Sequence, residues 1–411
     1  MNRSYLIALV IPLLLLAACT VIPILKKTTL DERRWLLSGK PLSDTGISAA
    51  ELPDETVMEL SDEMVGFLAQ PEFHQGTGSL RLLRLARALV SEEGLAIRYD
   101  PVATLTAAET FRQRRANCLS FTTITVAMAR HLGLEAHFNE VDVPEIWDLQ
   151  NSSTFVLYKH INTVVDIAGG PRQLLDISIE EYDNSFDQRI ISDRLAIAQY
   201  YNNRAMEFLY AQSYRDSYRY LLKALTLEPG ISYFWSNLGT LLRRMESRQA
   251  AELAYRVALE INPGDLTAIS NAARLYKELG EDELATRFTE KAEYYRNRNP
   301  YFQYKQGLEA FLQGDYAGAM RHARRAIRLY DKEHRFHFLQ GIIHLQSGDR
   351  KQAQESLQKA IDISTDEKQQ DNYRRKRDYL LAGSASLINK EIEEANEQLK
   401  RYQDANNLQP P

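Results

Sequence analysis

The sequence has little cysteine, glycine or proline and no strong excess of charge of one sign. Its 411 residues include 2 cysteines, which excludes a disulfide-stabilised scaffold. The 19 glycines and 13 prolines are few, and this favours helices over a turn-rich sandwich. The net charge of −5 argues against nucleic acid as a partner, because phosphate binding needs a basic excess. A hydrophobic content of 44% excludes a disordered chain, and the length favours two or three domains.

Long apolar runs are also missing, apart from one at the N-terminus. Leu6–Leu16 is too short to span a bilayer, for which about 20 residues are needed. With Arg3 before it and small residues ahead of Cys19, it predicts a signal peptide over residues 1–18. The ending resembles the lipobox of bacterial lipoproteins, which implies diacylation of Cys19. Thr20 then implies an outer-membrane lipoprotein that faces the periplasm of a Gram-negative bacterium. The alternative is an ordinary signal peptide.

Residues 19–59 are predicted to form a lipidated tether, since they contain several turn-forming glycines and prolines. Beyond about residue 198 the chain repeats with a period of 34 residues. One set of small residues at that spacing is Ala224, Ala258, Ala292, Ala326 and Ala360. A second set is Ala205, Gly239, Ala273, Gly307 and Gly341.

Small residues at fixed positions are needed where two helices cross closely, so each unit is predicted to be an antiparallel helix pair. A helix–turn–helix period of 34 residues is the signature of tetratricopeptide repeats. Five repeats are predicted over residues 198–367, followed by a capping helix and tail over 368–411. The basic run at 374–377 is interpreted as a solvated helix face.

Tetratricopeptide arrays bind peptides or proteins in a groove lined by the first helix of each unit. The predicted groove residues are Asn202, Arg243, Arg244, Arg274, Lys277, Tyr301, Tyr304, Arg335 and Phe338. Their cations and aromatic rings suit an extended peptide with acidic groups. The known carboxylate-clamp pattern is not reproduced, so the ligand is left open. The alternative is that these side chains are simply solvated.

Cys118 is the cysteine that remains if Cys19 carries lipid. Asn117 is a good N-cap and Gly133 a good C-terminal stop, so a helix is predicted over residues 118–132. Cys118 would then lie in the first turn, where unpaired N–H groups and the helix dipole favour a thiolate. This is a suitable place for a nucleophile. The alternative is a buried cysteine that acts as a small apolar residue.

A nucleophilic thiol needs a base within hydrogen-bonding reach. His131 is excluded because it lies on the same predicted helix, about 20 Å further along the axis. His74 and His137 stay open, although neither has a distinctive context. His160 lies in a predicted strand, residues 154–165, and is the preferred base.

A carboxylate could orient the imidazole of His160. A turn at 168–171 leads to a second predicted strand, residues 173–178, which carries Asp176. Asp166 is a rival on the strand of His160. It lies six residues further along, about 20 Å away, and this disfavours it.

The stretch 117–121, Asn-Cys-Leu-Ser-Phe, followed by His160 and Asp176, resembles the transglutaminase-like superfamily of papain-type cysteine enzymes. The resemblance covers about residues 60–190. It implies an α+β transglutaminase-like (papain-type) domain followed by an all-α tetratricopeptide-repeat solenoid. It also implies that Cys118 is the nucleophile, His160 the general base and acid, and Asp176 the orienting carboxylate.

Members of that superfamily often supply an oxyanion donor from a Trp or Gln side chain ahead of the cysteine. Trp35 is far from Cys118 in the sequence and Gln113 is very near, so neither matches well. The backbone N–H of Cys118 is the natural donor that remains. Trp147 is predicted either to line the cleft or to cover the core.

These features predict a membrane-anchored periplasmic enzyme that cleaves or transfers a peptide or protein amide through a Cys118 thioester. The repeats would recruit the partner. Water as acceptor gives a peptidase or amidase, an amine gives cross-linking, and hydrolysis is favoured because the sequence shows no amine site. The alternative is an inactive periplasmic adaptor whose repeats scaffold complexes. The sequence predicts no cofactor and no metal site, and leaves the oligomeric state open.

Overall fold

The computed structural model describes residues 26–141, 160–177, 188–364 and 367–381, with the single positions 393 and 397. The predicted lipidation site Cys19 and the cleft candidate Trp147 lie outside these residues. Within the described ranges, no helix combines the length and the apolar character needed to cross a membrane.

Five α-helices lie in the described N-terminal residues 26–141. They are α1 (Leu30–Leu37), α2 (Asp62–Leu68), α3 (Gly78–Val90), α4 (Ala107–Gln113) and α5 (Cys118–His131). Local capping fixes where several begin: in α4 the Thr106 side chain accepts from the Glu109 N–H, while the Glu109 carboxylate accepts from the Thr106 N–H. The predicted α5 matches the observed helix at its N-terminus, despite a β-branched centre.

The strands form a small antiparallel sheet in the order β5-β4-β3-β6. Its members are β3 (Glu135–Val141), β4 (His160–Asp166), β5 (Gln173–Leu175) and β6 (Gln188–Ile191). A separate parallel pair joins β1 (Arg98–Tyr99) to β2 (Arg115–Ala116). The predicted hairpin is present, since Thr163 pairs with Leu175. Helix α5 packs on this sheet, and the Thr122 hydroxyl donates to the Ile161 carbonyl over 3.1 Å.

Ten helices then form five antiparallel pairs. The first helices are α6 (Asp193–Tyr210), α8 (Ser232–Arg244), α10 (Leu266–Glu278), α12 (Pro300–Leu312) and α14 (His334–Gln346). The second helices are α7 (Tyr214–Leu227), α9 (Arg248–Ile261), α11 (Asp282–Asn297), α13 (Tyr316–Leu329) and α15 (Arg350–Ile363). From α7 onward, equivalent helices begin 34 residues apart, which confirms the predicted repeat. Helix α6 begins ahead of the predicted unit start at 198, because Ser192 caps it.

The small residues stand where the two helices of a repeat approach most closely. A Cβ atom added to Gly239 would lie 2.5 Å from the ring of Tyr255, far inside van der Waals contact. A Cβ atom on Gly341 would lie 2.7 Å from Leu357. The physical reason given for the 34-residue pattern is therefore confirmed at these positions.

The segment predicted as a tether is folded over its described part. Leu36 of α1 is fully buried, and its carbonyl accepts from the Tyr218 hydroxyl over 2.7 Å. Arg33 pairs with Glu260 at 2.5 Å. Residues 26–59 thus lie along α7 and α9 instead of forming a free linker, because turn-forming residues do not reveal such long-range contacts. One hydrophobic cluster runs from this segment through the first three repeats.

Helix α16 (Glu367–Leu381) covers the end of the array. The Tyr373 hydroxyl bonds to His334 Nδ1 over 2.7 Å, and its ring lies 5.1 Å from the ring of Phe338. These contacts fit the predicted capping helix within the described range. In the basic run, Arg374 and Arg375 are exposed, as expected of a solvated face. Arg377 departs from that expectation, since it is partly buried and donates to Gln358 of α15 over 2.7 Å.

The turn between the two helices of each repeat contains one residue with left-handed backbone geometry. These residues are Gln212, Glu246, Gly280, Gly314 and Gly348, which again are 34 apart. Residues other than glycine are disfavoured in this region by about 1–2 kcal/mol. The first two repeats therefore carry local strain that the last three avoid.

We expect Glu246→Gly to raise the free energy of unfolding by about 0.5–1 kcal/mol, because glycine relieves the strain at a cost in chain entropy. Glu246 contributes only an exposed contact to Arg248, which is worth little. The matched control is Gly280→Ala, where no atom would meet the added Cβ, so only backbone strain should lower the stability by about 1 kcal/mol. Urea titration measures both, and an unchanged or lowered stability for Glu246→Gly would contradict the strain argument.

Candidate functional site

Cys118 is the first residue of α5, and its side chain is partly exposed. Asn117 caps the helix, since its Oδ1 accepts from the Ser120 N–H over 2.9 Å. Asn117 also donates from Nδ2 to the Thr104 hydroxyl over 2.9 Å. The cap is therefore held by a second part of the chain, and this positions the start of α5, where Cys118 lies.

The loop at residues 103–105 forms hydrogen bonds with both α5 and the first repeat. The Ser120 hydroxyl donates to the Ala103 carbonyl over 3.0 Å and accepts from the Leu105 N–H over 2.7 Å. From the repeat side, Glu207 of α6 accepts from the Thr104 N–H over 3.1 Å. The first repeat thus contributes to holding the start of α5.

His160 begins β4, and its imidazole meets the carboxylate of Asp176. The distance from His160 Nε2 to Asp176 Oδ2 is 2.7 Å, and the two side chains are only 6% and 2% exposed. The predicted strand over residues 173–178 includes Asp176, whereas the observed β5 ends one residue before it. The β4–β5 hairpin therefore brings the two side chains together.

The environment of His160 favours the imidazolium. Burial acts to lower its pKa, but the electrostatic interaction with Cys118 and the hydrogen bonds that the imidazole makes to Asp176 and Cys118 outweigh burial, so the pKa is raised well above 6.5. Because Asp176 takes Nε2, Nδ1 is the nitrogen left for the thiol. The arrangement suits a thiolate–imidazolium pair.

The rival residues do not reach this site. His74 Nε2 bonds to the Leu68 carbonyl over 2.9 Å. His137 lies 3.6 Å from Asp166, and Asp166 accepts from Arg172 over 2.7 Å. The Arg172 guanidinium is the main cause of a lowered pKa of the Asp166 carboxyl. The structure thus brings Cys118, His160 and Asp176 together and leaves the alternatives elsewhere.

A backbone N–H group at the start of α5 is available as a hydrogen-bond donor. Among the described residues, the N–H of Cys118 has no hydrogen-bond partner, as expected in a first helical turn. Gln113 is occupied by Arg115 at 3.1 Å, and Trp35 lies on α1, which packs against α9. The Cys118 N–H therefore remains the natural donor.

Two asparagines that the sequence analysis did not single out support the site. Asn162 donates to Asp176 Oδ2 over 3.3 Å, and its own carbonyl oxygen accepts from Asn139 over 2.8 Å. Both asparagines are buried. A signal was available, because Asn162 lies two residues after His160 and so shares its face of the strand.

A second cluster lies across the β3–β4 pair, at the edge away from His160. The ligating atoms of Glu135, His137 and Asp166 lie within 4.8 Å of one another. The sequence did not predict this cluster, because the strand register brings Glu135 opposite Asp166. The three groups could hold a cation, but Arg172 already neutralises Asp166.

Several of the predicted groove residues are engaged inside the protein. Asn202 is fully buried, and its Oδ1 accepts from Asn237 over 2.8 Å, so its assignment to an open groove is corrected. The Tyr301 hydroxyl donates to Glu333 over 2.9 Å, and Arg335 pairs with Glu333 at 2.7 Å.

The remaining groove residues differ in how accessible they are. Tyr304 is buried, and Phe338 contacts Tyr373 of the capping helix. Arg243 pairs with a carboxylate, Glu278 Oε1, at 2.7 Å. Arg274 is partly buried, and burial followed by the nearby Arg243 lowers its pKa. Arg244 and Lys277 are exposed, so these two remain open to a ligand.

Comparison with known proteins supports the repeats. Residues 202–265 and 304–368 match the family model of the tetratricopeptide repeat. With the helix pairs described above, this defines the C-terminal part as a tetratricopeptide-repeat array, a class that generally binds peptide or protein partners. No curated protein matches the sequence.

Solved structures resemble part of the chain. MamA 41-end from Desulfovibrio magneticus RS-1 is 19% identical, with 42% of this chain and 96% of that chain covered and a TM-score of 0.24. YrrB, described as a TPR protein with an unusual peptide-binding site, is 17% identical, with 43% of this chain and 92% of that chain covered and a TM-score of 0.23. Pseudomonas aeruginosa pilF is 14% identical, with 52% of this chain and 98% of that chain covered and a TM-score of 0.25.

We expect Asp176→Asn to lower the pKa of His160, because the variant removes the negative charge that favours the imidazolium and leaves only a neutral amide as hydrogen-bond acceptor. A raised folded-state pKa stabilises the fold below about pH 6.5, and this contribution is lost as the pH rises through the folded-state value. In the variant this loss should begin at lower pH.

The imidazole titration is followed by NMR, with histidine signals assigned from a His160→Ala variant. Asp166→Asn is the matched control, since that carboxylate faces Arg172 and His137 instead. If both aspartate variants left the His160 titration unchanged, the coupling of His160 to Asp176 would be disproved.

Proposed function

We propose that the N-terminal part is a transglutaminase-like thiol enzyme that hydrolyses a peptide or protein amide. The observation that carries this proposal is the buried His160–Asp176 contact of 2.7 Å, with Cys118 acting on the same imidazole from the start of a helix. Cysteine, histidine and aspartate in these roles form a nucleophile, a base and an orienting group.

In this mechanism, Cys118 Sγ attacks the carbonyl carbon of the amide, and the Cys118 N–H stabilises the oxyanion. The C–N bond breaks as His160 gives its proton to the leaving amine, which leaves a thioester. Water then attacks the thioester after losing a proton to His160. The carboxylic acid leaves, and the thiolate–imidazolium pair is restored. An amine in place of water would give transamidation instead.

The repeats are proposed to recruit the protein or peptide that carries this amide. Val141, which pairs with His160 across the sheet, belongs to the same hydrophobic cluster as Tyr301 and Tyr304 of the fourth repeat. The fourth repeat therefore lies near the end of the sheet that carries the base. This proximity supports delivery of a bound chain to the thiol.

The location is also proposed from the sequence. Diacylation of Cys19 would hold the protein at the outer membrane, facing the periplasm, since two or more acyl chains anchor a protein stably. Because residues from Lys26 onward pack along the repeats, only a short segment would separate the lipid from the folded part.

One observation favours the alternative of an inactive adaptor. The side-chain oxyanion donor that the superfamily often supplies has no counterpart in Trp35 or Gln113, the two residues that the sequence offered. In an adaptor, the repeats would bind partners and Cys118 would have no chemical role. The reactivity of the thiol separates the two functions.

We expect Cys118 to react with iodoacetamide at pH 6.5 at least about tenfold faster in the parent protein than in His160→Ala. An ordinary thiol is only about 1% ionised at that pH. The parent carries Cys19→Ser, so that Cys118 is the only thiol. Cys118→Ser in that background should take up no label.

An alkylation rate that is slow at pH 6.5 and indifferent to His160→Ala would disprove the ion pair and favour the adaptor. A fast rate that is equal in both proteins would show a reactive thiol without the proposed base. Circular dichroism on each variant shows whether the fold is retained.

We also expect Cys19→Ser to move the protein from the membrane fraction to the soluble fraction, because the thiol is the point of acylation. Fractionation with immunoblotting measures the distribution, and Cys118→Ser is the matched control. If Cys19→Ser stayed with the membranes, lipid attachment at this residue would not be the anchor.

A further inference from the structure

Helix α13 carries a group of arginines that the proposed enzyme does not use. Its sequence contains no acidic residue, and Arg321, Arg324, Arg325 and Arg328 are spaced as neighbours on one helix face. The four span about 10 Å along the axis. α13 is the second helix of the fourth repeat, whereas the predicted peptide groove uses first helices. We call these four residues the α13 arginine cluster.

The α13 arginine cluster is not neutralised by the protein. Among the described residues, none of the four makes a hydrogen bond or an ion pair, although other arginines of the array, such as Arg243 and Arg335, contact carboxylates at 2.7 Å. All four are exposed. Like charges at this spacing repel one another on a helix, so the arrangement has a cost in stability.

The arginines line a concave site. A cavity of about 710 Å³ has all four in its wall, together with His322, Gln303 and Asn297. His322 Nδ1 donates to Gln303 Oε1 over 2.9 Å, and Gln303 donates to the Asn297 carbonyl over 3.1 Å. The polar groups of the wall are thus held in place beneath the arginines.

The local potential is positive. Burial and the neighbouring Arg321 and Arg325 lower the pKa of His322, and the opposing carboxylates of Asp315 and Glu309 do not compensate. Asp315 is itself used to cap α13, since it accepts from the Gly318 N–H over 2.8 Å. An anion in the cavity would relieve the repulsion among the cations.

We propose that this cavity binds a ligand bearing phosphate groups. Guanidinium groups match phosphate oxygens in paired hydrogen bonds, and Arg is the preferred residue for this geometry. The volume lies within the range of small-molecule sites, which suits a compact phosphorylated group better than an extended acidic peptide. The phosphate could belong to a soluble compound or to the headgroup of a phospholipid. The site is independent of the thiol chemistry.

The test uses the full chain with Cys19→Ser, so that no lipid anchor contributes. One arm titrates inorganic pyrophosphate by calorimetry, and the other measures sedimentation with phosphatidylcholine vesicles that contain or lack phosphatidylglycerol. A third arm titrates an oligoglutamate peptide. The variant is Arg324→Gln with Arg325→Gln. The control, Arg374→Gln with Arg375→Gln, removes the same charge from exposed arginines of α16.

We expect the α13 variant to weaken binding by at least about tenfold per arginine removed, and the α16 control to leave it within twofold, about the effect of a bulk charge change. Binding of pyrophosphate but not vesicles identifies a soluble ligand, and binding only of phosphatidylglycerol vesicles identifies a headgroup. Binding in neither phosphate arm, equal losses in both variants, or tighter binding of oligoglutamate would overturn the proposal. The fold of the α13 variant should survive, since neither Arg324 nor Arg325 makes a hydrogen bond or an ion pair among the described residues. The control loses the exposed Arg374–Asp371 pair, which is worth little.

Discussion

The close approach of two helices within each repeat is the constraint on which the rest of the structure depends. At Gly239 there is no room for a methyl group, because the ring of Tyr255 fills the space. This contact fixes the separation of α8 and α9, and the same small position recurs in each unit. Stacked pairs of fixed geometry make a rigid array, and the N-terminal part folds against that array.

The two halves of the chain share helix α6, which serves as the first helix of the array and as a support for the thiol site. Arg130 of α5 pairs with Asp193 at 2.6 Å, and Gln199 donates to Glu140 of β3 over 2.6 Å. Glu207 holds the loop that bonds to the cap of α5. The site is therefore assembled on the repeats, and the two functions proposed for the halves are physically connected.

The sequence predicted the features that depend on local spacing. The repeat period, the α5 cap at Asn117 and the β4–β5 hairpin all follow from residues close together in the chain. The packing of residues 26–59 on α7 and α9 was missed, because it depends on contacts between distant residues such as Leu36 and Tyr218. The assignment of Asn202 to the groove failed for the same reason, since the burial of its side chain depends on contacts with α8.

The buried His160–Asp176 pair is difficult to explain as a structural element. Two ionisable side chains with 6% and 2% exposure lose most of their hydration, and apolar residues of similar size would usually stabilise the fold as well or better. Asn162 and Asn139 are also buried, and they extend the polar chain beneath Asp176. Such a network stabilises the orientation of the imidazole in which Nε2 meets Asp176, and this leaves Nδ1 for the partly exposed thiol of Cys118. The cost in stability is understandable if that orientation serves a reaction at sulfur.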